Sequence, residues 1–222
     1  MRAVHTGPAP LAVKDCTLIA IATGKRAQNL RELRDHVLDV HPGSIYYHFW
    51  GGLLRSRFDQ PEYNNDFAAW ARNGLHDKRL AERLGVINPA AYCNLEMLRQ
   101  ELIEVIEERL DETEFIPWSK ADQQFQFIRA QIILFDTPWR IRAPEELAEI
   151  TPKLSVGSIF YHFIDARCCT PGGLDDFRAW LSGFPECRDL CAKLAAVDPY
   201  FTTLTELRQQ LTSIFCTYFG RG

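Results

Sequence analysis

Apolar residues fall three and four positions apart along much of the chain. Leu30, Leu33, Val37 and Val40 mark a helix within residues 25–40. Leu95, Leu98, Leu102, Val105, Ile106 and Leu110 mark a longer amphipathic one. Between them, Pro42-Gly43 breaks the pattern, and Ser44 is expected to N-cap a helix running through Tyr47 and His48 toward Phe58. Residues 66–73 read as a short helix carrying Phe67 and Trp70 and ended by Gly74. Residues 76–84 read as another, stopped by Gly85 and Asn88-Pro89. The apolar stretch 16–22 is too brief to assign from periodicity.

The same order then starts again. Gly43-Ser44-Ile45-Tyr46-Tyr47-His48-Phe49 returns as Gly157-Ser158-Ile159-Phe160-Tyr161-His162-Phe163, with one residue changed. Asp66-Phe67-Ala68-Ala69-Trp70 returns as Asp176-Phe177-Arg178-Ala179-Trp180, and the last stripe as Leu204, Leu207, Leu211, Ile214, Phe215 and Phe219. The spacing is 114 between Ser44 and Ser158 and 109 between Leu98 and Leu207, a near-constant offset that points to internal duplication. The expected fold is mainly α: two homologous helical repeats of about five helices each, related by a pseudo-two-fold. At most short strands are expected, near 16–22 and 125–135. The expected organisation is a flexible tail at 1–13, a first repeat at 14–111, a linker at 112–123 and a second repeat at 124–222.

Composition narrows the function classes. A net charge of −4 without basic runs argues against a nucleic-acid surface. No apolar run approaches the roughly 20 residues of a membrane span. Residues 1–13 lack the apolar region of a signal peptide. Seven cysteines, an odd number irregularly spaced, do not suggest a disulfide framework, so a reducing cytoplasm is expected. Fourteen Phe, seven Tyr and five Trp suggest an aromatic core or an aromatic-lined cleft.

The Ser-Ile-(Tyr/Phe)-Tyr-His run, Asn65-Asp66-Phe67 with Trp70, Leu80-Ala81-Glu82-Arg83-Leu84 and the Leu98-Arg99 helix together resemble a prokaryotic family, domain of unknown function 5752, in two tandem copies. The resemblance covers nearly the whole chain and implies no activity. The second copy departs from the first at Asp175, in place of Asn65, and at Asp165-Ala166, in place of Gly51-Gly52.

Ser44, His48 and Asp66, with Ser158, His162 and Asp176, form two Ser/His/Asp sets on paper. Neither has a G-x-S-x-G elbow, and a His–Asp bond locking two helices together explains the same residues. No His or carboxylate pair has metal-ligand spacing on one helix, and the Cys187/Cys191 pair belongs to one half only. No catalytic residue, metal or cofactor is therefore assigned. The candidate ligand-binding residues are Tyr47, His48, Asp66 and Trp70, with Tyr161, His162, Asp176 and Trp180, where flat rings and polar tips cluster. The expected function is a non-enzymatic binding or accessory module engaging a protein partner. The alternatives are a small-metabolite or sugar binder using these clusters, and a hydrolase using a His–carboxylate pair. Nucleic acid and membrane are not expected partners, and oligomeric state is left open.

Overall fold

The structure is a computed structural model that describes residues 8–55, 62–92, 94–112, 120–170 and 172–220. Two 17-residue strands, β1 (Leu11–Ala27) and β2 (Phe125–Ile141), pair in a two-stranded antiparallel sheet. The Thr23 hydroxyl donates to the Phe127 carbonyl, and the Thr137 hydroxyl to the Val13 carbonyl. The start of each strand thus lies beside the end of the other.

This overturns the expected arrangement of two helical repeats with at most short strands. Helices dominate, but the sheet is long, and the chain does not divide into two consecutive halves. Leu18–Ile132 form one compact unit, and the residues before and after them form the other. We call these the central and flanking units, after their place in the sequence. The strands escape the apolar pattern because helices bury only their ends: Val13, Cys16 and Ala27 in β1, and Phe125, Phe127 and Ile141 in β2. Lys14, Asp15, Lys25 and Arg26 stand inside β1, where pairing with a remote strand, and not local periodicity, sets the length. The expected tail and linker fall partly on 1–7 and 113–119, and the run toward Phe58 on 56–61, all outside the described residues.

In the central unit, α1 (Leu30–Asp39) begins later than its apolar pattern, because residues 25–27 still belong to β1 and Asn29 provides the cap. α2 (Pro42–Trp50) is capped by His41, whose Nδ1 accepts from the Gly43 N–H at 3.0 Å. Ser44 is therefore not the N-cap but the third residue of the helix, since Pro42 suits the first helical position. α3 (Asp66–Asn73) and α4 (Lys78–Gly85) are capped by Asn65 and Asp77, and α5 (Leu95–Asp111) by Asn94. Leu33, Val37, Phe49, Phe67, Leu84, Leu98, Leu102 and Ile106 form a core with Phe125 and Phe127.

The flanking unit holds α6 (Glu146–Ile150), α7 (Val156–Ile159), α8 (Ala166–Cys169), α9 (Asp176–Leu181), α10 (Arg188–Ala195) and α11 (Leu204–Phe219). A π-helical stretch, Phe160–Asp165, joins α7 to α8 without a break. Ser155 caps α7, Asp175 caps α9, and Thr203 with Glu206 forms a capping box on α11. Val13, Ile159, Phe163, Phe177, Leu194, Leu207, Leu211 and Phe215 are among its buried residues. No described helix of either unit is long and apolar enough to cross a membrane.

Candidate functional site

Each unit contains one copy of the heptad, and in each the heptad helix grips the start of a strand. In the central unit α2 meets β2. A Cβ on Gly43 would stand 3.0 Å from the Arg129 side chain and 3.3 Å from the Ala130 carbonyl oxygen, so glycine lets the two backbones approach. At the next residue, the Ser44 hydroxyl donates to the Ile128 carbonyl at 2.7 Å, which commits its one proton. His48, a turn beyond Ser44, accepts from the Ile128 N–H through Nε2 at 3.1 Å. Residues i and i+4 of one helix thus satisfy both backbone groups of a single strand residue, as a neighbouring strand would.

That geometry settles the imidazole's protonation. A backbone N–H only donates, so Nε2 is the acceptor and the proton sits on Nδ1, which donates to Asp66 at 2.9 Å. The capping of α3 by Asn65 leaves the Asp66 carboxylate available for this bond. The His48 side chain is 2% exposed and lies among Phe67, Phe125 and Phe127. Burial pushes its pKa below the usual histidine value, against the opposing pull of Asp66. The ring is neutral, oriented and fully used.

The flanking unit repeats the design with β1, α7 and the π-helical stretch that carries His162. His162 Nε2 accepts from the Lys14 N–H at 2.8 Å, and Nδ1 donates to Asp176 at 2.6 Å. A Cβ on Gly157 would fall 2.3 Å from Asp15 Oδ1 and 2.4 Å from the Cys16 carbonyl, a closer approach than at Gly43. Ser158 differs from Ser44: its Oγ accepts from the Ser155 hydroxyl at 3.0 Å.

The two tryptophans hold the same segments further upstream. The Trp70 indole N–H donates to the Gln123 carbonyl at 2.6 Å, and that of Trp180 to the Ala9 carbonyl at 2.9 Å. Of the candidate ligand-binding residues, His48, Asp66 and Trp70 therefore converge on residues 123–128, and His162, Asp176 and Trp180 on residues 9–14. Tyr47 is buried beneath the Arg55 guanidinium, 4.6 Å from its ring centroid, and Tyr161 is half-buried, edge-on to His162. Sequence reasoning missed Ala9, Lys14, Gln123 and Ile128. The signal was present, since Ala9/Gln123 and Lys14/Ile128 share the 114-residue spacing of the heptads.

A Ser–His–Asp relay needs an imidazole nitrogen open to the nucleophile, and here strand N–H groups occupy it in both units. The cysteines offer no substitute nucleophile where burial dominates: the Cys16 thiol is pushed up to about 12 and Cys187 to about 11. Among the described residues no cluster of three or more His, Cys, Asp or Glu is placed to hold a metal.

Over residues 8–216 the chain matches the model of DUF5752, a family of unknown function. The chain belongs to that family. Both heptads lie within the one matched span. No curated protein matches the chain. Among solved structures, that of OrfY from Thermoproteus tenax is similar, with a TM-score of 0.85 and 25% identity over 96% of this chain and 97% of that one.

Proposed function

We propose that this chain is a non-enzymatic binding or accessory module that engages a protein partner. The observation that carries this reading is the complete use of both imidazoles, each enclosed and bonded at both nitrogens by its own chain. The aromatic–His clusters serve as clamps on strands. Surface for a partner exists elsewhere: in the flanking unit Phe135 is 50% and Trp139 38% exposed, four residues apart and so on one face of β2. Exposed aromatic side chains of this kind suit the centre of a protein interface.

The duplication belongs to the same proposal. The chain descends from two tandem copies of one segment, as the 114-residue spacing of the paired glycines, histidines and strand residues supports. A prokaryotic cytoplasm is the setting, supported by the free thiols of Cys16, Cys168, Cys187, Cys191 and Cys216. A second reading, a small-ligand site, draws support from a cleft of about 350 Å³ in the central unit, lined by His76, Lys78, Arg79 and Arg109.

Affinity purification from the native host tests the principal reading. A stoichiometric protein retained by the wild type and lost by a folded Phe135→Ser/Trp139→Ser variant is the expected result. Recovery of the chain alone, or equal retention by both forms, would overturn it.

A further inference from the structure

The flanking unit is discontinuous in sequence, because the segment that completes it lies far from the clamp that holds it. Lys14 and His162 are 148 residues apart, and Ala9 and Trp180 are 171 apart. The clamp reads main-chain atoms. Trp180 donates to the first carbonyl of Ala9–Lys14, His162 accepts from the last N–H, and Thr137 donates to the Val13 carbonyl between them.

The central unit shows how tolerant such a clamp is. It holds Gln123–Ile128 by the same first carbonyl and last N–H, yet the two six-residue segments share no residue at any position. What they share is an approach into the start of a strand and two apolar residues, Leu11 and Val13 in one, Phe125 and Phe127 in the other. Backbone bonds supply affinity here, and the two apolar side chains supply register.

We propose that the flanking clamp accepts residues 9–14 of a second copy of this chain, giving a strand-exchanged dimer. The occupant is named by what the clamp already holds: every copy carries the same segment and the same clamp, so exchange replaces each contact with an identical one. None of these contacts depends on segment and clamp belonging to one chain. The inference goes beyond the proposed protein partner and does not rest on it, since it concerns residues 9–14 and not Phe135 or Trp139.

The test uses a fluorescent synthetic peptide of residues 8–17 and the full-length chain carrying Lys14→Pro. That substitution removes the N–H that His162 accepts and leaves the clamp intact. The peptide is expected to bind this variant at least about tenfold more tightly than wild type, with Trp180→Phe added in the variant weakening binding about fivefold. A folded Lys14→Pro chain that ignores the peptide overturns the proposal. If Lys14→Pro does not fold, Val13→Gly empties the segment's buried anchor and is judged by the same outcome. Light scattering on the wild type completes the test. Dimer that grows with concentration and dissolves under excess peptide supports exchange, whereas monomer throughout, or dimer indifferent to peptide, overturns it.

Discussion

His48 and His162 make the same two bonds, yet the caps beside them solve one problem by different chemistry. In the central unit Asn65 is 2% exposed and uses its whole amide: Oδ1 accepts from the Ala68 N–H, and Nδ2 donates to the Leu84 carbonyl at 2.9 Å. In the flanking unit the cap is Asp175, fully buried, which has no N–H to give. Arg167 supplies what is missing. Its guanidinium reaches Asp175 at 3.3 Å and donates to the Leu194 and Val197 carbonyls, stacked 4.1 Å from the Phe163 ring centroid. Burial raises the Asp175 pKa and lowers that of Arg167, so the ion pair opposes a desolvation penalty that the neutral amide never meets. The Asn-to-Asp difference between the halves is thus compensated structurally and is no sign of a decayed active site.

The largest expected effect attacks that compensation. Asn65→Asp places a buried carboxylate where, among the described residues, no arginine is bonded to the cap, and is expected to cost about 3–5 kcal/mol in denaturant unfolding. The reciprocal Asp175→Asn keeps the cap but loosens Arg167, and is expected to cost about 1.5–3 kcal/mol. Equal losses would break the comparison. Next come the glycines of close approach. Gly157→Ala meets the Asp15 carboxylate and strand backbone at 2.3 and 2.4 Å and is expected to cost about 3 kcal/mol, whereas Gly43→Ala meets the Arg129 and His41 side chains at 3.0 Å and costs about 1 kcal/mol. Thermal melts of the two variants side by side decide whether the flanking contact is the tighter.

Removing an imidazole leaves a strand N–H without a partner, and His48→Ala is expected to lose about 2–3 kcal/mol. The same ring predicts a pH dependence. His48 has a folded pKa below the unfolded value of 6.5, so the unfolded chain takes up the proton first on acidification. Its contribution is complete above pH 6.5 and is lost as the pH falls through that value toward the lower folded pKa. Melting temperature measured from pH 8 to 5 is expected to fall, and to fall less in His48→Gln. An unchanged slope would mean that His48 is not the neutral acceptor described. The smallest effect separates the serines: Ser44→Ala loses the bond to Ile128, about 1 kcal/mol, and Ser158→Ala loses only an acceptor for Ser155, about 0.5 kcal/mol.

Much of the helical frame was readable in the residues. α3, α4 and α5 begin and end close to where Asn65, Gly74, Gly85 and Asn94 punctuate the pattern. The His–Asp bonds were readable as well, since Asp66 and Asp176 open helices that follow the heptads. Ser44 was misplaced as a cap, because a histidine followed by proline is a less familiar helix start than serine. The strands were underestimated because their central residues are only partly buried, so the apolar pattern does not show how far the pairing extends.

The sequence by itself determined much of the helical frame and the fact that the heptad occurs twice, because 3.6-residue periodicity is a local property of the chain. Only the tertiary structure decided what the heptad does. Its Gly and His in both units, and its Ser in the central unit alone, act on strand residues 80 or more positions away, and nothing local specifies which remote N–H an imidazole will accept. The same holds for the units, which cross the boundary between the halves because long-range strand pairing, and not sequence adjacency, assigns each strand segment to its clamp.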